Sequence, residues 1–264
     1  MNLMIGADPE FFVRRGVHFI PGHTFPCGTK NQPKRTDHGF VQVDGIALEC
    51  NVRPSETRSE FIRNTTGVIA DLRNIVASVD ARAEVVARPS IFFGHKRLSK
   101  LPPHVAELGC NADFNAWTGR RNPPPDAASP IRTGAGHIHI GWTKNENPRE
   151  FGYFNQCMEL VRQLDYYLGL PSLLWDKDNR RRSLYGRAGA FRPKSYGLEY
   201  RVLSNAWLQS DKMIGWVFDR TVQAVVDAWA GNSAANVYGE QAAAWINSNE
   251  GNWPKLAPGI AEQV

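Results

Sequence analysis

Gly6-Ala7-Asp8-Pro9-Glu10-Phe11-Phe12-Val13 sets two carboxylates two residues apart, with bulky apolar residues immediately after. Read as a first strand, the alternation of side chains sends Asp8 and Glu10 to one face. Two ionised acids about 4 Å apart repel by ~4 kcal/mol at an effective dielectric near 20, a cost that a cation between them removes. Taken alone, the segment reads better as an edge strand with solvated acids, because Asp and Glu are usually exposed.

Three later segments change that balance. Asp44-Gly45-Ile46-Ala47-Leu48-Glu49-Cys50-Asn51 places Ile46 and Leu48 on one face of a short strand and Ala47, Glu49 and Asn51 on the other. Gly134-Ala135-Gly136-His137-Ile138-His139-Ile140-Gly141-Trp142 repeats the alternation with imidazoles, His137 and His139 opposing Ile138 and Ile140. Glu199-Tyr200-Arg201 then puts an acid and a guanidinium on one face, after a run holding Arg180, Arg181, Arg182, Arg187, Arg192 and Lys194. Four strands therefore carry ionisable groups on a single face.

These motifs, in this order, resemble the glutamine synthetase and glutamate-cysteine ligase superfamily of carboxylate-amine ligases. The chain is most similar to a phage-associated branch, the type 2 COOH-NH2 ligases (amidoligases), which Asp44 to Asn51, Gly109-Cys110 to Trp117 and Tyr196 to Asn205 also resemble. The resemblance spans roughly residues 3 to 230, and four motifs in family order weigh far more than any one of them. It implies an α+β fold, a curved, mainly antiparallel sheet like the glutamine synthetase catalytic domain, with helices on its convex face and the site on the other.

The resemblance also implies the chemistry. A carboxylate is a poor acylating agent, so amide formation in water needs activation. Transfer of the ATP γ-phosphoryl group supplies it as an acyl phosphate that an amine then attacks. Phosphoryl transfer asks mainly for positioning and charge neutralisation by divalent ions and cationic side chains. Asp8, Glu10, Glu49 and Glu199 are implied ligands of two or three Mg2+ ions, for which Mn2+ can substitute; oxygen donors suit these cations. His137, His139, Arg187, Arg192, Lys194 and Arg201 are implied contacts to ATP or substrate. Glu10, His137 and Arg201 form the catalytic set, Arg201 because its planar fork grips phosphate or acyl-phosphate oxygens. The bland alternatives are a structural hydrogen bond for His139 and an ion pair for Arg201. The partners implied are small-molecule or peptide carboxylates and amines. The chain departs from glutamine synthetase in having no room for a separate N-terminal domain and in the acid spacing of Asp44 to Asn51, so a ring with shared active sites is not implied.

The remaining sequence reads as scaffold for one domain over 1–264. With 264 residues, 42% hydrophobic and 22% charged, the chain can bury a substantial core. Pro21 to Phe40 reads as a long loop able to cover a site; the spacing of its His23, Cys27 and His38 fits no standard zinc finger. Helices are expected after Pro54 (Thr57 and Glu60 as capping box; Phe61, Val68, Leu72, Ile75 and Val79 inward), from Asn147 (N-cap, with Pro148 at the first position and Phe151, Phe154, Met158, Val161, Leu164 and Leu168 as core stripe), from Ser210 to Trp229 with Gly231 as stop, and near Glu240 to Asn247. Asn122 to Pro130 reads as a surface loop. Cys27, Cys50, Cys110 and Cys157 are scattered without a CxxC pair, which suits reduced thiols in a cytoplasm, the bacterial host's if the chain is phage-encoded. No apolar run approaches the ~20 residues of a membrane span. A net charge of +5 and a pI near 9.1 suit ATP, although they also suit nucleic acid. A guanidino kinase, a metal-dependent phosphoesterase and a non-catalytic nucleic-acid-binding protein are the alternatives; the last gives no reason for same-face acids on several strands. No Walker A or GxGxxG motif occurs.

Overall fold

The computed structural model describes residues 2–106, 113–126 and 128–262. Its strands are β1 (Met4–Ala7), β2 (Glu10–Arg15), β3 (His18–Ile20), β4 (Gly28–Thr29), β5 (Gln32–Arg35), β6 (Gly39–Asp44), β7 (Ala47–Ser55), β8 (Glu84–Val86), β9 (Ser90–Phe92), β10 (Phe114–Asn115), β11 (Ile131–Thr133), β12 (Ile138–Gly141), β13 (Ala190–Lys194) and β14 (Gly197–Tyr200). Twelve of them form one sheet along the order β10-β13-β14-β12-β1-β7-β6-β5-β4, with β2 bridging β7 to β3 and β8; β9 and β11 pair separately. Every pairing in the described residues is antiparallel. The fold is thus a large antiparallel sheet with helices, an α+β architecture.

The first strand ends sooner than the sequence suggests. Pro9 has no N–H to donate, so β1 stops at Ala7 and β2 starts at Glu10. The link still pairs: Asp8 N–H donates to the His137 carbonyl at 3.3 Å and Glu10 N–H to that of Ala135 at 2.9 Å, while the Pro9 carbonyl accepts from Cys50 N–H at 2.9 Å. Both carboxylates therefore remain beside β7 and the segment leading into β12.

One face of the sheet is apolar. Ile5, Leu48, Cys50, Ile138, Ile140, Leu198 and Tyr200 are buried in a single core with the helices. Helix α1 (Arg58–Val79) lies against β7 and contributes Phe61, Val68, Leu72 and Val76. Thr57 caps it, its hydroxyl accepting from Glu60 N–H at 3.3 Å. The stripe runs through Val76; Val79, expected inside, is 53% exposed at the last turn. Helix α2 (Phe151–Leu164) covers β13 and β14, and α3 (Asp211–Trp229), capped by Ser210, packs on α1 and α2. Asn147 is not the cap of α2. It closes a turn ahead of it, and Glu150 takes the capping position because its two carboxylate oxygens accept from Gly152 and Tyr153 N–H at 2.9 and 2.6 Å. Phe151, expected in the stripe, consequently stays outside, 77% exposed. A further helix runs from Ala242 to Ser248, and two short ones, Trp253–Leu256 and Pro258–Ala261, follow it.

The segment read as a loop at 21–40 holds a 3-10 turn (Gly22–Thr24) and the β4-β5 hairpin, which extends the sheet beyond β6. Its backbone amides find strand partners, so the glycines and prolines there mark turns between short strands. Cys27, Cys50 and Cys157 are free and buried; Gly109 to Ala112, including Cys110, lie outside the described residues. No described helix is long and apolar enough to cross a membrane.

Candidate active site

Register builds the polar face. Glu49, near the start of the central strand β7, stands opposite Glu10 of β2 on one side and Gln42 of β6 on the other. The tight turn at Gly45, whose φ of +57° suits glycine, joins β6 to β7 and puts Asp44 two residues along from Gln42, on the same face. Farther across the sheet, His139 of β12 stands opposite Glu199 of β14, which stands opposite Arg192 of β13. Directly opposed strand residues share a face, so two rows of polar side chains look into one cavity of ≈ 380 Å3.

Two groups of acids result. Glu10, Asp44 and Glu49 bring carboxylate oxygens within 4.8 Å of one another, and Asp8, His139 and Glu199 bring two carboxylate oxygens and an imidazole nitrogen equally close. In the first group, Glu10 Oε2 accepts from Ala135 N–H at 2.9 Å, Glu49 Oε1 from the Gln42 amide at 3.0 Å, and Asp44 Oδ1 lies 2.9 Å from Lys30 Nζ. In the second, Asp8 is shared by two imidazoles, with His137 Nδ1 3.1 Å from Oδ1 and His139 Nε2 3.2 Å from Oδ2, and the other nitrogen of His139 meets the Tyr196 hydroxyl at 2.5 Å. Glu199 is almost enclosed by cations: Lys194 Nζ at 2.7 Å, Arg192 at 3.7 Å and Arg201 in direct contact.

The electrostatics of the groups diverge. Burial and the charge of Asp44 push Glu10 up to about 7, and burial with the charges of Asp8, Asp44 and Glu10 pushes Glu49 well above the usual carboxylate range. Burial would raise Asp8 too, but His137 and His139 outweigh it and hold that carboxyl well below its ordinary value. Burial and the neighbouring Arg201 push His137 down to about 4, so it is a neutral imidazole at physiological pH, with Nε2 buried and without a hydrogen-bond partner among the described residues. Burial lowers His139, yet Asp8 raises it further, and the balance is upward.

The structure brings together most of the residues singled out in the sequence. Asp8, Glu10, Glu49, His137, His139, Arg192, Lys194, Glu199 and Arg201 all line the cavity. Arg187 does not: it lies on a side pocket and reaches the Ser183 carbonyl. The neighbouring arginines are structural or superficial. Arg180 pairs with Asp178 at the surface, Arg182 with Asp176 in the interior, and buried Arg181 donates to the Val202 and Leu203 carbonyls at 2.6 and 2.7 Å, fixing the chain just after Arg201. Arg201 itself takes the ion-pair alternative, bonded to Glu199 and, through Nε, to Asp113 at 3.2 Å, while still facing the cavity. His23, Cys27 and His38 form no metal-capable group among the described residues.

Sequence reading gave no role to Asp44, Gln42, Lys30 or Asp113. Alternation along β6 is the signal for the first two, since a two-residue turn at Gly45-Ile46 sets Gln42 against Glu49. Lys30 arrives from a hairpin at the sheet edge and leaves no such trace. Beside the acids, a second opening of ≈ 780 Å3 continues past His139 along Met4, Gly6, Pro54, Trp142 and Tyr196.

Residues 132–248, somewhat less than half of the chain, match the model of a family described as phage phiEco32-like COOH.NH2 ligase-type 2. The resemblance read from the motifs therefore holds over the stretch carrying His137, His139, Glu199 and Arg201; Asp8, Glu10 and Glu49 lie outside it. No curated protein matches the chain. Among solved structures, one described as a novel glutamine synthase homolog is similar, at 9% identity and a TM-score of 0.47, over 99% of this chain and 64% of that one. So distant a likeness says nothing of activity.

Proposed function

We propose that the chain is an ATP- and Mg2+-dependent carboxylate-amine ligase that forms an amide or peptide bond through an acyl phosphate. The observation that carries this reading is the pair of ligand triads opening on one cavity that Lys30, Arg192, Lys194 and Arg201 also line. The donor sets fit divalent cations: three carboxylates in one, two carboxylates and an imidazole in the other. Mg2+, or Mn2+ in its place, held there would supply charge neutralisation between the acids and the phosphate oxygens.

The chain's own residues do the rest. Arg192, Lys194 and Arg201 offer positive charge to the transferring phosphoryl group, and Asp113 orients the guanidinium of Arg201. Neutral His137, whose Nδ1 faces the Asp8 carboxylate, offers its Nε2 as an acceptor to water or to an N–H of the amine substrate. In the first step a substrate carboxylate oxygen bonds to the γ-phosphorus as the bond to ADP breaks. In the second the amine nitrogen attacks the acyl carbon, inorganic phosphate leaves and the amine gives up a proton. The groove beside His139, walled by Trp142 and Tyr196, suits the base and ribose of the nucleotide. In this reading 1–264 act as one catalytic domain in the cytoplasm, the sheet curves round the site with helices on its convex side, and residues 21–40 cover it.

The test is turnover of ATP with Mg2+ over a panel of carboxylates and amines, with mass spectrometry of products. ADP release that needs both substrates, with a product lighter than their sum by one water, is the expected result. ADP release with a phosphorylated guanidine as the product would instead identify a phosphotransferase.

A further inference from the structure

We infer that Lys30 is a tethered counter-ion of the Glu10, Asp44 and Glu49 triad and competes with a divalent cation for it, an inference that rests on the metal-dependent reading above. Lys30 sits at the tip of the β4-β5 hairpin, where Thr29 pairs with Gln32, and its side chain reaches back to Asp44. The ammonium lies 2.9 Å from Oδ1 of Asp44, one of the three acids that can bring ligand oxygens within 4.8 Å of one another. Burial would lower the lysine's pKa, but Asp44, with help from Glu49 and Glu10, more than reverses this, so all three acids feel the same charge.

Three acids this close would repel one another if all were ionised without a cation, and Glu10 and Glu49 are accordingly pushed towards their neutral forms. One ammonium relieves part of the repulsion, and it arrives on a flexible four-carbon stem from the edge of the sheet. The lysine side chain is 49% exposed, so water reaches it. An ion bound by the triad draws on the same Asp44 carboxylate and places two positive charges close to the ammonium. Lysine and metal cannot both be satisfied, and the metal, with three carboxylates to bind, displaces the lysine. Lys194 is placed differently. Its partner Glu199 also pairs with Arg192 and Arg201, so its departure would leave that acid still compensated.

Calorimetric titration of Mn2+ into wild type, Lys30→Gln and Lys34→Gln reads the competition directly. Lys34, on the same hairpin, is exposed, and its replacement removes an equal charge without touching the triad. Removing a half-exposed ion pair that opposes binding should tighten Mn2+ binding to Lys30→Gln roughly fivefold, with Lys34→Gln close to wild type. Unchanged or weaker binding to Lys30→Gln, or equal tightening in both variants, overturns the inference while leaving the metal site standing. A wild type that binds no Mn2+ overturns both. In wild type, mass spectrometry of amine acylation gives a second reading without mutation. Mn2+ should raise labelling of Lys30 relative to Lys34, and unchanged or reduced labelling contradicts displacement.

Discussion

Glu10 shows how little of a residue's chemistry its identity decides. A glutamate ordinarily titrates near 4.5, but burial and the charge of Asp44 carry this one to about 7. The sign of the effect on stability follows. Between pH 4.5 and 7 the unfolded chain has released this proton and the folded chain still holds it, so metal-free protein loses stability from this group as pH rises. Glu10→Gln keeps an oxygen for Ala135 N–H and cannot ionise. Relative to wild type, its metal-free melting temperature should therefore improve steadily from pH 4.5 to 7, reaching an advantage of about 3 kcal/mol at most. His137, pushed down to about 4, works in the opposite direction between pH 4 and 6.5, but it is common to both proteins and cancels in the difference. An advantage that does not grow with pH would show that Glu10 is an ordinary paired acid. Glu49→Gln should behave similarly, and both variants should lose Mg2+-dependent turnover.

At the scale of elements, the site depends on how β14 is held. Glu199 and Arg201 face the cavity, while Tyr200 between them turns into the core and donates to Asp165 Oδ1 at 2.7 Å. Asp165 begins a π-helical turn, Asp165–Gly169, that follows α2, and its other oxygen accepts from Trp117 Nε1 at 2.6 Å. One buried carboxylate thus ties together β14, which leads into Arg201, and the segment after Asp113, the partner of Arg201. Tyr200→Phe removes one of its two side-chain donors and should cost about 1–3 kcal/mol, read by denaturant unfolding. A cost near zero would mean that water replaces the hydroxyl and that β14 is held by its strand bonds alone. The long helices were legible because apolar spacing and capping chemistry are local: Thr57 and Ser210 cap as their sequence contexts suggest. Glu150 was not, since Asn147-Pro148 offers an equally good local start and only the path of the chain chooses between them.

For the whole molecule, the proposed function makes the acids and the nucleotide mutually dependent. The triads repel a bare triphosphate, and a divalent ion must join the two. ATP and Mg2+ together should therefore stabilise the protein far more than either alone. At free nucleotide about a hundredfold above its Kd, mass action gives about 2.7 kcal/mol, or a melting shift of roughly 5–10 °C for a chain of this size. The basic charge allows another outcome, stabilisation by an oligonucleotide that fades with salt and needs no Mg2+. That result without synergy between ATP and Mg2+ would end the ligase reading.

The sequence by itself determined which residues alternate, and so that Glu10, Glu49, His139 and Glu199 would each stand on the polar side of its own strand, with Asp8, His137 and Arg201 beside a strand end. It also carried the family resemblance, because motif order survives in one dimension. Only the tertiary structure decided that Glu49 faces Glu10 and Gln42 across neighbouring strands, that His139 faces Glu199, that Lys30 reaches the same cavity from elsewhere, and that Asp113 holds Arg201 from behind it. The tertiary structure likewise puts Arg187 on a side pocket and not in the lining of the cavity. The reason is physical: period-two alternation is set by the backbone of a single strand, whereas pairing register and the reach of long side chains depend on segments far apart in sequence. Their proximity is settled by burial of the shared core.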